Sequence, residues 1–194
     1  MKFLPALTQA VLSLTTACAL ALAPQDQGAK PVSAIPPGFH FEGSWNCVGV
    51  FGNGKPHRSS MTGAIVVGGK WLELMEQDIE HATGYIAKYL VGYDAEQKQI
   101  VEFDANNFSA ATYSSPDGWK GDALTVTSPV SSDPKAPYAA NRFVFSIVNS
   151  DTFTMDWQVS KSAQFNWLPA DHLVCKRGAQ SSFAKDPLNG GNGR

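Results

Sequence analysis

The chain has 194 residues, with 15 basic and 17 acidic side chains and a formal net charge of −2. With charges this sparse and balanced, and no lysine- or arginine-rich run, nucleic acid and anionic membrane surfaces are poor partners. A chain of this length buries roughly 70% of its unfolded surface in one core, so neither a structural metal nor a dense disulfide framework is needed for folding.

Residues 1–21 read as a secretion signal. Lys2 supplies the charged start, the run from Val11 to Leu22 is apolar, and Ala19-Leu20-Ala21 gives the small-residue cleavage pattern. The apolar run falls short of the roughly 20 residues that span a bilayer, so no stable membrane insertion is expected after the signal is removed. Its removal takes one lysine and moves the charge to −3. Cys18 follows Thr16-Ala17, but Thr15 stands where a lipoprotein signal usually carries leucine, which argues against a lipid anchor. A periplasmic or secreted protein is therefore expected. Residues 22–37 are polar and proline-broken and read as a flexible linker, and residues 178–194 read as a disordered tail. Residues 38–177 are left as the folded domain.

Within that domain the hydrophobic period is two, punctuated by Gly, Pro, Asn and Asp. Ten strands are predicted. Phe41–Phe51 ends at Asn53-Gly54, a strong hairpin signal, and Arg58–Val67, Trp71–Ile79 and Tyr85–Tyr93 follow. Gln99–Asp104 and Phe108–Tyr113 lead to the turn cluster SSPDGWKGD; Ala123–Ser128, Asn141–Val148, Thr152–Ser160 and Phe165–Lys176 complete the set. Short strands joined by short turns predict an all-β fold, a single antiparallel up-and-down β-barrel, with a two-sheet sandwich as the alternative; a barrel leaves no exposed edge. The odd-numbered face carries Trp45, Cys47, Met61, Ile65, Met75, Tyr89, Phe103, Phe143, Phe145, Met155, Trp157, Leu173 and Cys175, and is taken as the interior. Cys47 and Cys175 then share parity on the first and last strands, and a disulfide between them is expected in an oxidising compartment.

The ordered run of GSWNCVGVFGNGK, GGKWLEL, VGYDAEQKQIVEFDANNF, PDGWKGDALTVTS and a terminal Cys-Lys-Arg resembles a domain-of-unknown-function family of secreted bacterial proteins related to lipocalins. The resemblance implies a calyx-like barrel and assigns no role. Gly43-x-Trp45-x-Cys47-x-Gly49 is similar, more distantly, to the G-x-W-x-G-x-G opening of nitrobindin-type ten-stranded heme barrels. That likeness would make His172 the iron ligand, although parity places it opposite Leu173 and Cys175 unless Pro169 marks a bulge that shifts the register.

Other chemistry is thin. His172 and Cys175 have zinc-like spacing without a second ligand pair, and a bonded Cys175 has no thiolate to act as nucleophile. His40, His57 and His81 fall at predicted turns or strand ends, where exposure is the default. Ser59 and Ser60 lie near His57 without the strand-to-helix elbow of a serine hydrolase. Glu73 shares the parity of Met75 and Ile79, and if buried it could serve as an acid or base, the enzyme alternative; the reverse setting puts Leu72 and Leu74 inside. Glu102 and Asp104 alternate with Phe103 and are expected in solvent. The aromatic signal points elsewhere: Trp45, Tyr85, Tyr89, Phe143, Met155 and Trp157 would converge on the interior and line a cavity for a small hydrophobic molecule, with no cofactor. A filled barrel acting as a structural or partner-binding module is the remaining alternative.

Overall fold

The computed structural model describes residues 32–80 and 83–178. The expected signal at 1–21, the first part of the expected linker, His81 and residues 179–194 of the expected tail lie outside the described residues. The strands are β1 (Gly43–Phe51), β2 (Pro56–Val66), β3 (Trp71–Glu80), β4 (Ile86–Asp94), β5 (Gln99–Asn106), β6 (Ala110–Ser115), β7 (Trp119–Lys120), β8 (Ala123–Thr127), β9 (Ala140–Asn149), β10 (Thr152–Ser160) and β11 (Leu168–Arg177). They form one sheet in the order β6-β5-β4-β3-β2-β1-β11-β10-β9-β8-β7, and the pairing of Ser114 with Thr127 joins β6 to β8 and closes it. Ten strands make the antiparallel barrel. The two-residue β7, inside the predicted turn cluster, pairs only along β8.

Turn chemistry fixes the hairpins. At the β1–β2 turn, Gly54 takes a φ of 80° and its N–H donates to the Phe51 carbonyl at 2.8 Å, while Asn53 Oδ1 accepts from the Lys55 N–H at 3.0 Å. Between β4 and β5, Asp94 Oδ1 accepts from the N–H groups of Glu96 and Gln97 at 2.8 and 3.1 Å. The seam between first and last strands runs from Trp45 opposite Arg177 to Phe51 opposite Asp171, with Cys47 directly opposite Cys175. The two cysteines form a disulfide, with Cα atoms 4.0 Å apart.

Paired residues share a face, so each hairpin decides whether parity is kept or reversed. Trp45 pairs with Met61, keeping odd residues inward from β1 to β2, whereas Ile65 pairs with Leu72 and turns the even residues of β3 inward. Parity returns to odd in β4, where Tyr89 faces Leu74, and reverses again in β5, where Asp104 faces Tyr89. A single inward parity therefore fails on β3, β5 and β8, where Leu124 and Val126 face Phe145 and Phe143. Leu72, Leu74, Glu76, Asp78, Glu102 and Asp104 are buried; Met75, Ile79 and Phe103 are on the outside.

The barrel ends differ. The end carrying the β2–β3, β4–β5 and β9–β10 hairpins is closed by the residues before β1. There Phe39, Phe41 and Trp45 sit against Phe153, with ring centroids 4.9–6.3 Å apart, and Phe39 stacks on Trp45 at 5.8 Å. Trp45 Nε1 donates to the Phe41 carbonyl at 2.8 Å. Residues 32–37, assigned to the linker on composition, lie against this plug: Ala34 is buried and its carbonyl accepts from Trp119 Nε1 at 3.1 Å. Arg177 fastens the plug from the last strand, donating to the carbonyls of His40 and Glu42 at 2.7 and 2.9 Å, with its guanidinium 4.2 Å from the centre of the Trp45 ring. Among the described residues, no helix is long and apolar enough to cross a membrane.

Candidate functional site

At the other end, among the β1–β2, β3–β4, β5–β6 and β8–β9 connections, the barrel holds a cavity of about 480 Å³. Its two sides differ in chemistry. Strands β6, β9 and β10 contribute Tyr113, Phe143, Met155 and Trp157, with Tyr138 standing edge-on to Trp157 at 5.9 Å. Strands β11 and β2 to β5 contribute Asp171, His57, Glu76, Asp78, Tyr89 and Asp104, and Tyr85 stands just before β4. The cavity lies above the apolar core of Leu72, Leu74, Ile100, Leu124, Phe153 and Leu173.

His57 organises the polar side. Its Nδ1 lies 2.8 Å from Asp171 Oδ2 and its Nε2 lies 2.8 Å from Asp78 Oδ1. A neutral imidazole has one N–H, so a carboxylate acceptor at each nitrogen calls for the imidazolium, with both nitrogens donating. Burial alone would lower the pKa of this group; the hydrogen bonds to Asp171 and Asp78, with the charges of Asp171 and Glu76, outweigh it and raise it to about 9. Phe51 stacks on the ring at 4.3 Å. The second acceptor oxygen of Asp78 is taken by Thr83, whose backbone N–H and hydroxyl donate at 3.1 and 2.6 Å.

Beside this pair runs a hydroxyl relay. Tyr89 donates to Glu76 Oε2 at 2.8 Å, so the Tyr85 hydroxyl, 3.0 Å from that of Tyr89, must be the donor to it. Burial pushes the Glu76 carboxyl up to about 7, with the Asp171 charge adding to it and the Tyr89 hydrogen bond, the neighbouring Ser59 hydroxyl and the His57 charge opposing it. Glu76 Oε1 has no hydrogen-bond partner and lies 4.0 Å from His57 Nε2. Burial also raises the phenol pKa values of Tyr85, Tyr89 and Tyr113 well above the ordinary range, which keeps them as neutral donors. Asp104 is raised by burial, against hydrogen bonds from Asn106 Nδ2 to both its oxygens at 3.1 and 3.2 Å.

Of the residues expected to line a cavity, Tyr85, Tyr89, Phe143, Met155 and Trp157 do so together. Trp45 does not: it is buried in the closed end against Phe39 and Phe153. Glu73 is on the outer face, where Lys88 Nζ lies 3.1 Å from its Oε2, so the acid–base role drawn for it is corrected. His172 is also outside. The expected irregularity near Pro169 exists, between Trp157 and Gln158 on β10, but it precedes His172, which pairs with Asp156 in register and places Nδ1 2.6 Å from its Oδ1. Its ring therefore faces away from the cavity, and no heme ligand is offered there. His57, expected in solvent, is buried; Glu102 and Asp104, expected in solvent, are buried; His40 is exposed as expected. The missed residues carried one signal. If Leu72 and Leu74 are inside, alternation carries Glu76 and Asp78 in with them.

No family model matches the chain, and no curated protein matches it either.

Proposed function

We propose that this is an exported barrel protein that holds one small, largely apolar molecule in the open half of the barrel. The observation that carries the reading is the cavity of about 480 Å³, aromatic on the β6, β9 and β10 side and hydrogen-bonding on the other. That volume lies within the roughly 300–1,000 Å³ of small-molecule pockets, and a few convergent polar groups in an apolar chamber orient a ligand without dominating its binding. Tyr113, Phe143, Met155 and Trp157 would cover a flat or extended apolar body. The Tyr85 hydroxyl oxygen and the Asn141 amide would meet its polar end. Export is supported by the signal-like residues 1–21 and by a disulfide, a bond that persists in oxidising compartments.

The test uses Nile red, a neutral apolar dye, with Trp157 fluorescence as the second readout. Wild-type protein is expected to bind one equivalent saturably, and Met155→Trp, which puts a larger side chain into the chamber, should weaken binding at least tenfold while leaving the melting temperature within a few degrees. Unsaturable dye uptake by the wild type, or equal affinity in Met155→Trp, would sink the reading. Native mass spectrometry of protein purified from its own host would then identify any molecule that travels with it.

A further inference from the structure

His57 on β2 and Glu76 and Asp78 on β3 each present one donor atom, and these atoms lie within 4.8 Å of one another. His57 Nε2 is 2.8 Å from Asp78 Oδ1 and 4.0 Å from Glu76 Oε1. The other polar atom of each residue is held from behind. Asp171 Oδ2 takes His57 Nδ1 at 2.8 Å, Tyr89 donates to Glu76 Oε2 at 2.8 Å, and Thr83 donates twice to Asp78 Oδ2. This is the arrangement that orients metal ligands: a carboxylate behind the histidine fixes which nitrogen faces the ion, and hydrogen bonds to the far carboxylate oxygens fix the near ones.

An independent sign of a missing partner is Glu76 Oε1. The residue is 2% exposed, and this oxygen has no hydrogen bond although it points toward His57 Nε2. A buried acceptor without a donor is costly, and a cation among the three donor atoms would satisfy it. The charge balance agrees. Glu76, Asp78, Asp104 and Asp171 line the cavity, and among its described lining residues His57 is the single basic side chain.

We propose that His57 Nε2, Glu76 Oε1 and Asp78 Oδ1 form a site for one divalent transition-metal ion of the zinc class, with its remaining coordination position open to the cavity. One imidazole and two carboxylates form a nitrogen–oxygen donor set suited to zinc, and three protein ligands leave a place for water or an exogenous donor. At zinc–ligand distances near 2.0–2.2 Å the donors sit roughly 3.4 Å apart, so the Nε2–Oδ1 pair opens and the Nε2–Oε1 pair closes by about half an ångström each. Binding releases the Nε2 proton to solvent. Since all three residues line the chamber, the open position faces whatever the chamber holds.

The experiment is a zinc titration of the full chain after EDTA treatment and dialysis, followed by calorimetry. One equivalent is expected, weakened at least tenfold by Glu76→Gln and by Asp78→Asn. The half-buried pair on the outer wall, His172 and Asp156, is the control for adventitious binding, and Asp156→Asn should leave the affinity unchanged. Cobalt(II) added to the wild type should give the intense visible bands of a four-coordinate ion, a readout that needs no variant to fold. Failure to bind near one equivalent, octahedral cobalt spectra, or a loss in Asp156→Asn equal to that in Glu76→Gln would overturn the site. Nile red binding is measured separately, so the failure of the metal site and the failure of the apolar ligand remain distinguishable.

Discussion

Glu102 is fully buried on β5, and neither of its carboxylate oxygens has a hydrogen-bond partner. Burial, reinforced by the charge of Asp104, holds its pKa well above the ordinary carboxylate range, so the folded protein keeps it neutral. The unfolded chain gives up that proton at ordinary carboxyl pKa. Above it the native state binds the extra proton, and stability falls as pH rises toward the native pKa, by up to about 1.4 kcal/mol per pH unit. Glu102→Met, similar in length and without polar atoms, is expected to match the wild type near pH 4 and to exceed it at pH 8. Urea denaturation at several pH values checks this, and parallel stability–pH curves for the two proteins would count against it. The same residue shows why the polar side of the site was hard to read. In VEFD, an acid beside phenylalanine looks like a solvated position, and only the cross-strand partners reveal that Phe103 takes the outside place. His57 was hidden similarly, since two residues after a hairpin turn favours solvent until Asp78 and Asp171, 21 and 114 positions away, supply carboxylates for both ring nitrogens.

Strand spans and their antiparallel order were legible because they depend on local signals: period-two alternation and turn residues with special φ. Facing was legible only where hairpins preserve parity. From β2 into β3 the pairing of Val66 with Trp71 reverses it, and this reversal moved Glu73 outside and Glu76 inside. A consequence appears on the outer surface, where the Trp71 ring lies across Gly92 of β4 and stacks on Phe103 of β5 at 6.1 Å. A Cβ at position 92 would stand 2.0 Å from Trp71 Cδ2, so the glycine is required by the indole that crosses it. Gly92→Ala should cost about 1–3 kcal/mol, the usual range for overpacking. In a Trp71→Ala background the same change should cost far less, because the clash has gone. A double-mutant cycle by chemical denaturation reads the coupling, and additive effects would remove this account of Gly92.

At the scale of the whole molecule, closure is achieved at two seams of unequal strength. Between β6 and β8 one bridge, Ser114 to Thr127, joins the sheet, whereas β1 and β11 are paired from Trp45 to Phe51 and bonded at Cys47–Cys175. Arg177 then ties the second seam to the plug through His40 and Glu42. The covalent link spans 128 positions, so its main action in the chain-entropy model is on the unfolded state, which loses about 5 kcal/mol of conformational freedom when such a loop is closed. The native seam keeps its ladder without the sulfurs. Replacing both cysteines, Cys47→Ser with Cys175→Ser, should therefore leave the circular dichroism spectrum and Nile red affinity close to wild type while lowering unfolding free energy by about 3–5 kcal/mol. A melting temperature on the order of 10 °C lower follows for a domain of this size. Loss of dye binding together with the native spectrum would mean that the bond holds the folded cavity open, and an unchanged melting temperature would mean that the unfolded chain is already constrained without it.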